Sequence, residues 1–251
     1  MKTILITGAS SGIGLACARK LQKDNRLVLC SRNLDKLHVV KKDLKASDKE
    51  MMVFGVDVTN SEQVKKMFNT LDKQKIYPDV LINSAGLALG LANFEDSLIS
   101  DFDTMVNTNI KGLLYVTKFA LKYMKRENRG HIINMGSIAG INTYAKGIVY
   151  AATKAAVKSI SDGLRKDVIE HKIRITNIQP GLVETNFSIT RFGGDKEKAK
   201  EAYFGIKPLS AEDIATIIKF SIESPEHVQI NEITVTPLHQ ATVENIYRDN
   251  K

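Results

Sequence analysis

The opening residues narrow the fold more than any later stretch. Lys2 to Thr7 reads as an apolar strand, and it runs straight into Thr7-Gly8-Ala9-Ser10-Ser11-Gly12-Ile13-Gly14 and a helical pattern through Lys20 and Leu21. A strand that feeds a glycine-rich turn at a helix N-terminus makes a phosphate cradle. Backbone N–H groups and the helix dipole face the anion there, and glycines let a pyrophosphate come close. Alone, the G-x-x-x-G-x-G spacing would describe any flexible loop; at the head of a strand–turn–helix unit it predicts a dinucleotide site.

The same alternation continues down the chain. Strand patterns at 27–30, 51–56, 80–82, 131–135, 173–178 and 230–236 alternate with helical patterns at 35–45, 61–73, 101–124, from Tyr150 onward, and 211–223. This order predicts an α/β fold, a doubly wound parallel sheet (Rossmann fold) of about seven strands with its site along the carboxyl strand ends. At 251 residues, 43% hydrophobic and 25% charged, the chain can close one core over residues 1–251. No repeat, low-complexity run or linker marks off a second domain.

Several function classes fall away. No apolar run approaches the roughly 18 residues of a membrane span, and residues 4–6 give way at once to glycines, unlike a secretory signal. A cytoplasmic protein is expected. Cys17 and Cys30 offer no disulfide framework, and the five histidines stand singly, so no metal is expected. The net charge of +8 is scattered over helical faces without interleaved aromatics. It predicts no nucleic-acid partner and suits an anionic cofactor.

Chemistry gathers at the strand ends. Tyr150 and Lys154 lie four apart at the head of an alanine-rich helix, on one face. There an ammonium is expected to lower the phenol from its usual pKa of about 10 toward neutrality and make it a proton donor. Ser137, at the end of the fifth strand, would present its hydroxyl to an oxygen gaining charge. Arg32 after the second strand could pair with the 2′-phosphate of NADP, where an acid would favour NAD, or simply begin the next helix. Asp57, followed by Val58, could accept from an adenine amino group or cap the next helix.

Other positions carry softer signals. Asn83-Ser84-Ala85-Gly86 leaves room for a ring against the backbone, with Asn83 bracing neighbouring strands, or is a tight turn. Asn109 inside its helix can free a carbonyl to hold water. After Pro180 and Gly181, the Val183 backbone and Thr185 hydroxyl could hold a nicotinamide carboxamide. Residues 186–207, with Gly193-Gly194 and a charged helix carrying Tyr203, suggest a mobile substrate lid. Small residues at Ala155, Ala156, Ser159 and Ser161 suit a subunit interface or packing on the sheet.

In Thr7-Gly8-Ala9-Ser10-Ser11-Gly12-Ile13-Gly14, Asn83-Ser84-Ala85-Gly86, Asn109, Ser137, Tyr150-x-x-x-Lys154 and Pro180-Gly181, the chain resembles the short-chain dehydrogenase/reductase family over its full length. Within it, 83–90, 130–134, 180–183 and 187–192 are similar to the NADP-dependent 3-hydroxy acid dehydrogenases. Two positions depart from the pattern: Ser84 stands where the family has a second Asn, and Asn33 where close relatives have a second Arg.

The resemblance implies Tyr150 as acid/base, Lys154 as its modifier and ribose ligand, Ser137 as carbonyl polariser and Asn109 as the water-holding relay member. NADP would be held by Gly8, Ser10, Ser11, Gly12, Ile13, Gly14, Arg32, Asp57, Val58, Asn83, Ala85, Gly86, Pro180, Gly181, Val183 and Thr185, beside Tyr150 and Lys154. Arg191 is the candidate for a substrate carboxylate, or else a solvent-facing lid residue. The implied activity is reversible oxidation of a small 3-hydroxy acid by a homotetramer. The rival readings are a broad carbonyl or 3-oxoacyl ketoreductase and a catalytically idle NADP(H)-binding scaffold.

Overall fold

A computed structural model describes residues 1–249. Seven parallel strands form one sheet in the order β3-β2-β1-β4-β5-β6-β9. They are β1 Lys2–Thr7, β2 Asn25–Ser31, β3 Met51–Gly55, β4 Val80–Asn83, β5 Gly130–Met135, β6 Ile173–Pro180 and β9 Glu232–Val235. The order reverses between β1 and β4, which opens the crevice where such sheets bind ligands. The helices are α1 Gly12–Leu21, α2 Leu34–Asp43, α3 Ser61–Lys73, α4 Ile99–Val106, α5 Leu113–Glu127, α6 Ile148–Asp167, α7 Asn186–Arg191, α8 Lys196–Glu201 and α9 Ala211–Glu223. A two-residue ladder, β7 Val183–Glu184 with β8 Leu209–Ser210, ties the start of the predicted lid to its end.

Strand alternation sends successive side chains into two layers. Ile4, Ile6, Leu29, Ile82 and Ile133 pack with Cys17 of α1 and Ile214 and Ile218 of α9. Leu5, Val28, Leu81 and Ile132 pack with Phe68 and Leu71 of α3 and Val116 and Met124 of α5. Covered on both faces, the strands read as continuous apolar runs. Each fully buried side chain such as Leu81 contributes about 1.5–3 kcal/mol.

One polar row crosses this apolar sheet. Asn83, Asn134 and Asn177 stand in register on β4, β5 and β6. Asn83 Nδ2 donates to Asn134 Oδ1 and to Thr117 Oγ1 of α5, both at 2.9 Å. Asn134 Nδ2 in turn donates to Ser161 Oγ of α6 at 2.9 Å. The predicted bracing by Asn83 is therefore present.

The elements differ from the sequence reading in several places. The single helix expected over 101–124 is α4 and α5 joined by a π-helical turn, Asn107–Gly112. The last strand is shorter than 230–236, and the charged helix α8 ends at Glu201, so Tyr203 lies beyond it. There the Tyr203 hydroxyl pairs with Ser188 Oγ at 2.5 Å and donates to the Val183 carbonyl at 3.0 Å, pinning the segment.

Candidate active site

The glycine-rich turn closes on itself so tightly that side chains have no room. Gly8 has φ +66°, and a Cβ there would stand 3.0 Å from the Ala85 backbone; one on Gly14 would stand 2.5 Å from the Gly8 carbonyl oxygen. Thr7 Oγ1 accepts the N–H groups of Ser84 and Ala85, each at 3.1 Å, so the turns after β1 and β4 form one surface. Ser11, which starts α1, makes no side-chain cap, and the first turn carries no acid. The first N–H groups of α1 thus have no side-chain cap from Ser11, and with the helix dipole they fit a pyrophosphate. Ser10 lies half-buried within the turn, and Thr185 Cβ stands 3.6 Å from where a Cβ on Gly12 would be, so the residues after β6 reach the same cradle.

At the end of β2, Arg32 is exposed. Its neighbour Asn33 is committed elsewhere: its side chain accepts from Lys36 N at 2.9 Å and caps α2. Asp57 Oδ1 accepts from Thr59 N at 2.9 Å and Thr59 Oγ1 at 2.8 Å. Capping of α3 falls to Asn60, which removes one of the two roles open to Asp57. Val58 is buried against the π turn, its Cγ2 2.7 Å from where a Cβ on Gly112 would be.

That π turn presents Asn109, whose Nδ2 donates to the Leu87 carbonyl at 2.8 Å and to Thr153 Oγ1 at 3.1 Å. Thr153 Oγ1 donates to the Tyr150 carbonyl at 2.7 Å, so one chain of bonds runs from β4's loop to the head of α6. Gly86 sits beneath it, with a Cβ there 3.2 Å from Asn109 Oδ1 and 3.6 Å from Lys154 Nζ.

Ser137, Tyr150 and Lys154 come together at the ends of β5 and α6. Ser137 Oγ accepts from Ala139 N at 3.1 Å and donates to the Pro180 carbonyl at 3.4 Å. Lys154 Nζ is buried and donates to the Met135 carbonyl at 2.8 Å; burial pushes its pKa down to about 8. Burial pushes the Tyr150 phenol up to about 12, against which a hydrogen bond with Ser137 and the charge of Arg191 act to lower it. The expected lowering of Tyr150 by Lys154 is absent: the ammonium stands 5.7 Å from the ring centroid and is turned to Met135.

Arg191, at the end of α7, lies over this group rather than in solvent. Its guanidinium carbon is 5.8 Å from the Tyr150 ring centroid and 5.4 Å from that of Tyr144. Nη2 donates to Tyr144 Oη at 2.6 Å and Nε to the Gly90 carbonyl at 3.3 Å. Phe187, one turn earlier, meets the Tyr150 ring edge-on at 5.6 Å. Arg191, Tyr150, Phe102, Met105 and Ile148 line one open cleft. The arrangement sets a phenol and a cation in one cleft, with the Ser137 hydroxyl hydrogen-bonded to that phenol.

Sequence reasoning missed two supports of this site. Tyr144, an aromatic in the polar loop before α6, holds Arg191. Gln240, in what reads as a polar tail, is buried, and its Oε1 accepts from Leu182 N at 2.8 Å beside Gly181. Only the tertiary fold reveals either partner. β6 ends at Pro180 with Gly181 next; in the ladder Leu209 N donates to the Leu182 carbonyl at 2.9 Å and not to Val183, whose carbonyl accepts from Tyr203 Oη at 3.0 Å, and Thr185 Oγ1 accepts from Phe187 N at 3.2 Å to cap α7.

Residues 2–194 match the family model described as short chain dehydrogenase. The chain is 40% identical over 250 residues to an NADP-dependent 3-hydroxy acid dehydrogenase of Schizosaccharomyces pombe, covering 98% of this chain and 96% of that enzyme. It is 37% identical over 252 residues to a serine 3-dehydrogenase of Rhizobium radiobacter, covering 99% of each. Among solved structures, the closed form of a serine dehydrogenase complexed with NADP+ superposes with a TM-score of 0.93 at 37% identity, covering 98% of this chain and all of that one.

Proposed function

The chain belongs to the short-chain dehydrogenase family, and we propose that it moves a hydride between NADP(H) and the 3-hydroxyl or 3-oxo carbon of a small 3-hydroxy acid such as L-allo-threonine, serine or 3-hydroxypropanoate. It is an NADP-dependent oxidoreductase acting on CH–OH groups. The observation that carries the acid substrate is Arg191, held by Tyr144 and Gly90 above the Tyr150 ring, where a guanidinium fork meets a carboxylate.

When bound, the cofactor supplies or accepts the hydride at its nicotinamide. The chain does the rest. The α1 N-terminus and the glycine turn of Gly8, Ser10, Ser11, Gly12, Ile13 and Gly14 hold the pyrophosphate. Arg32 would pair with the 2′-phosphate, and Asp57 with Val58 would receive the adenine. The turn of Asn83, Ala85 and Gly86 would border the cofactor, and Pro180, Gly181, Val183 and Thr185 would hold its carboxamide. Ser137 donates to the reacting oxygen and Tyr150 gives or takes its proton. Lys154 would hold the ribose and pass the proton toward solvent through a water held at the turn that carries Asn109. Burial raises the Tyr150 phenol to about 12, and the hydrogen bond with Ser137 and the charge of Arg191 work against that rise and favour release of its proton.

Of the small residues expected at a subunit interface, Ala155 and Ser159 are exposed on α6 together with Ile148, Ala152 and Gly163, whereas Ser161 is fully buried; the exposed set supports assembly as a homotetramer. Free, buried Cys17 and Cys30 suit a cytoplasmic setting. Among the described residues no helix is long and apolar enough to cross a membrane.

Steady-state oxidation of L-allo-threonine, L-serine and 3-hydroxypropanoate with NADP tests the substrate class. Turnover of at least one is expected. No turnover of any of them, alongside good reduction of a neutral ketone, rejects it.

A further inference from the structure

The cleft around Tyr150 carries charge of both signs. Besides Arg191 it is lined by Lys146, Asp96 and Asp101. Asp96 already accepts from Asn93 Nδ2 at 3.5 Å. Asp101, half-buried on α4, has no side-chain hydrogen bond or ion pair among the described residues. Its Oδ2 lies 3.7 Å from where a Cβ on Gly90 would be, and the carbonyl of the same Gly90 accepts from Arg191 Nε at 3.3 Å. A cation and an anion thus flank one glycine at the cleft wall without pairing with each other.

A plain hydroxy acid gives Arg191 its carboxylate but offers the Asp101 carboxylate in the same cleft no partner. An acid that also carries an ammonium on the adjacent carbon satisfies both. A site with a polar group waiting for a partner rejects the analogue that lacks it far more strongly than an apolar pocket rejects a missing methylene.

We propose that Asp101 is a specificity-determining residue that accepts the α-ammonium of a 3-hydroxy-2-amino acid while Arg191 takes its carboxylate. This rests on the hydroxy-acid reading above and selects the zwitterionic members of that class. Lys146, exposed at the cleft rim with φ +64°, adds to the field that draws the carboxylate end inward.

The test compares kcat/KM of the wild type and Asp101→Asn on L-serine, L-allo-threonine and 3-hydroxypropanoate. The substitution is expected to cut kcat/KM for the two amino acids by about tenfold or more and to leave 3-hydroxypropanoate unchanged or improved. An equal fall on all three, or no change on any, overturns the assignment while leaving the hydroxy-acid reading in place. Turnover of none of the three by the wild type overturns both. Should Asp101→Asn not fold, Asp101→Glu keeps the charge and is expected to keep the amino-acid preference; a variant that treats serine and 3-hydroxypropanoate alike sinks the proposal.

Discussion

Asn109 binds Leu87 twice, its Nδ2 donating to the Leu87 carbonyl at 2.8 Å and its Oδ1 accepting the Leu87 N–H at 2.9 Å. The side chain acts as a strand would, tying the loop after β4 to the π turn. Asn109→Ala strands both Leu87 groups in a buried place and takes one donor from the Thr153 hydroxyl, which keeps its own bond to the Tyr150 carbonyl. Each unsatisfied group costs about 1–3 kcal/mol, so urea unfolding should show a loss of at least about 2 kcal/mol. Turnover should fall with it, because Thr153 holds the carbonyl of Tyr150.

Tyr150→Phe removes only the phenolic hydroxyl and keeps the edge-on contact with Phe187. We expect kcat to fall by about 10²–10⁴-fold, the usual weight of a positioned acid/base. NADPH affinity by fluorescence titration and the melting temperature should stay near the wild type. Unaltered turnover with the best substrate would remove Tyr150 from the chemistry.

Arg32 and Asn33 separate cofactor choice from folding. Arg32→Ala should weaken NADP binding about tenfold or more while leaving NAD affinity alone, since a charge-assisted pair is lost. Asn33→Ala should instead cost about 1 kcal/mol of stability through the lost cap of α2 and leave NADP affinity nearly unchanged. Isothermal titration with both dinucleotides, alongside denaturant unfolding, distinguishes the two outcomes.

His131 governs an acid limb of stability. It is buried against Thr176, with Nε2 and Oγ1 2.8 Å apart, and burial, with Arg174 and Lys2 adding, pushes its pKa from 6.5 down to about 3. Below pH 6.5 the unfolded chain takes up a proton that the folded one refuses, so the stability present above 6.5 is lost as pH falls toward 3. The loss approaches about 1.4 kcal/mol per pH unit from this group. Unfolding free energies between pH 7 and 4 should slope less steeply in His131→Gln than in the wild type; equal slopes would contradict the assignment.

Much of the site was legible because its signals are local. The glycine turn, the acid and amide at strand ends, and the Tyr150–Lys154 spacing each follow from a few consecutive residues, and the sheet orders them. The π turn was hidden because 101–124 keeps an α-helical period throughout, and what fixes the extra residue is the distant pairing of Asn109 with Leu87 and Thr153. Gln240 looked like tail because its partner Leu182 is far away in sequence. The direction of the Tyr150 shift also escaped the spacing argument: helix geometry sets Lys154 nearby, but burial and the Met135 carbonyl decide where its ammonium points.

The asparagine row of β4, β5 and β6 has a consequence for assembly of the sheet. The apolar strands alone would tolerate a one-residue slip, since hydrocarbon meets hydrocarbon on either side. With Asn83, Asn134 and Asn177 aligned, a slip of β5 would swing Asn134 toward the α1/α9 layer and break its bonds to Asn83 and Ser161. The bonded Asn83–Asn134 pair therefore works as an alignment key: a slip breaks bonds that the native register makes, and the native register brings the turn bearing Ser137 to the height of Tyr150.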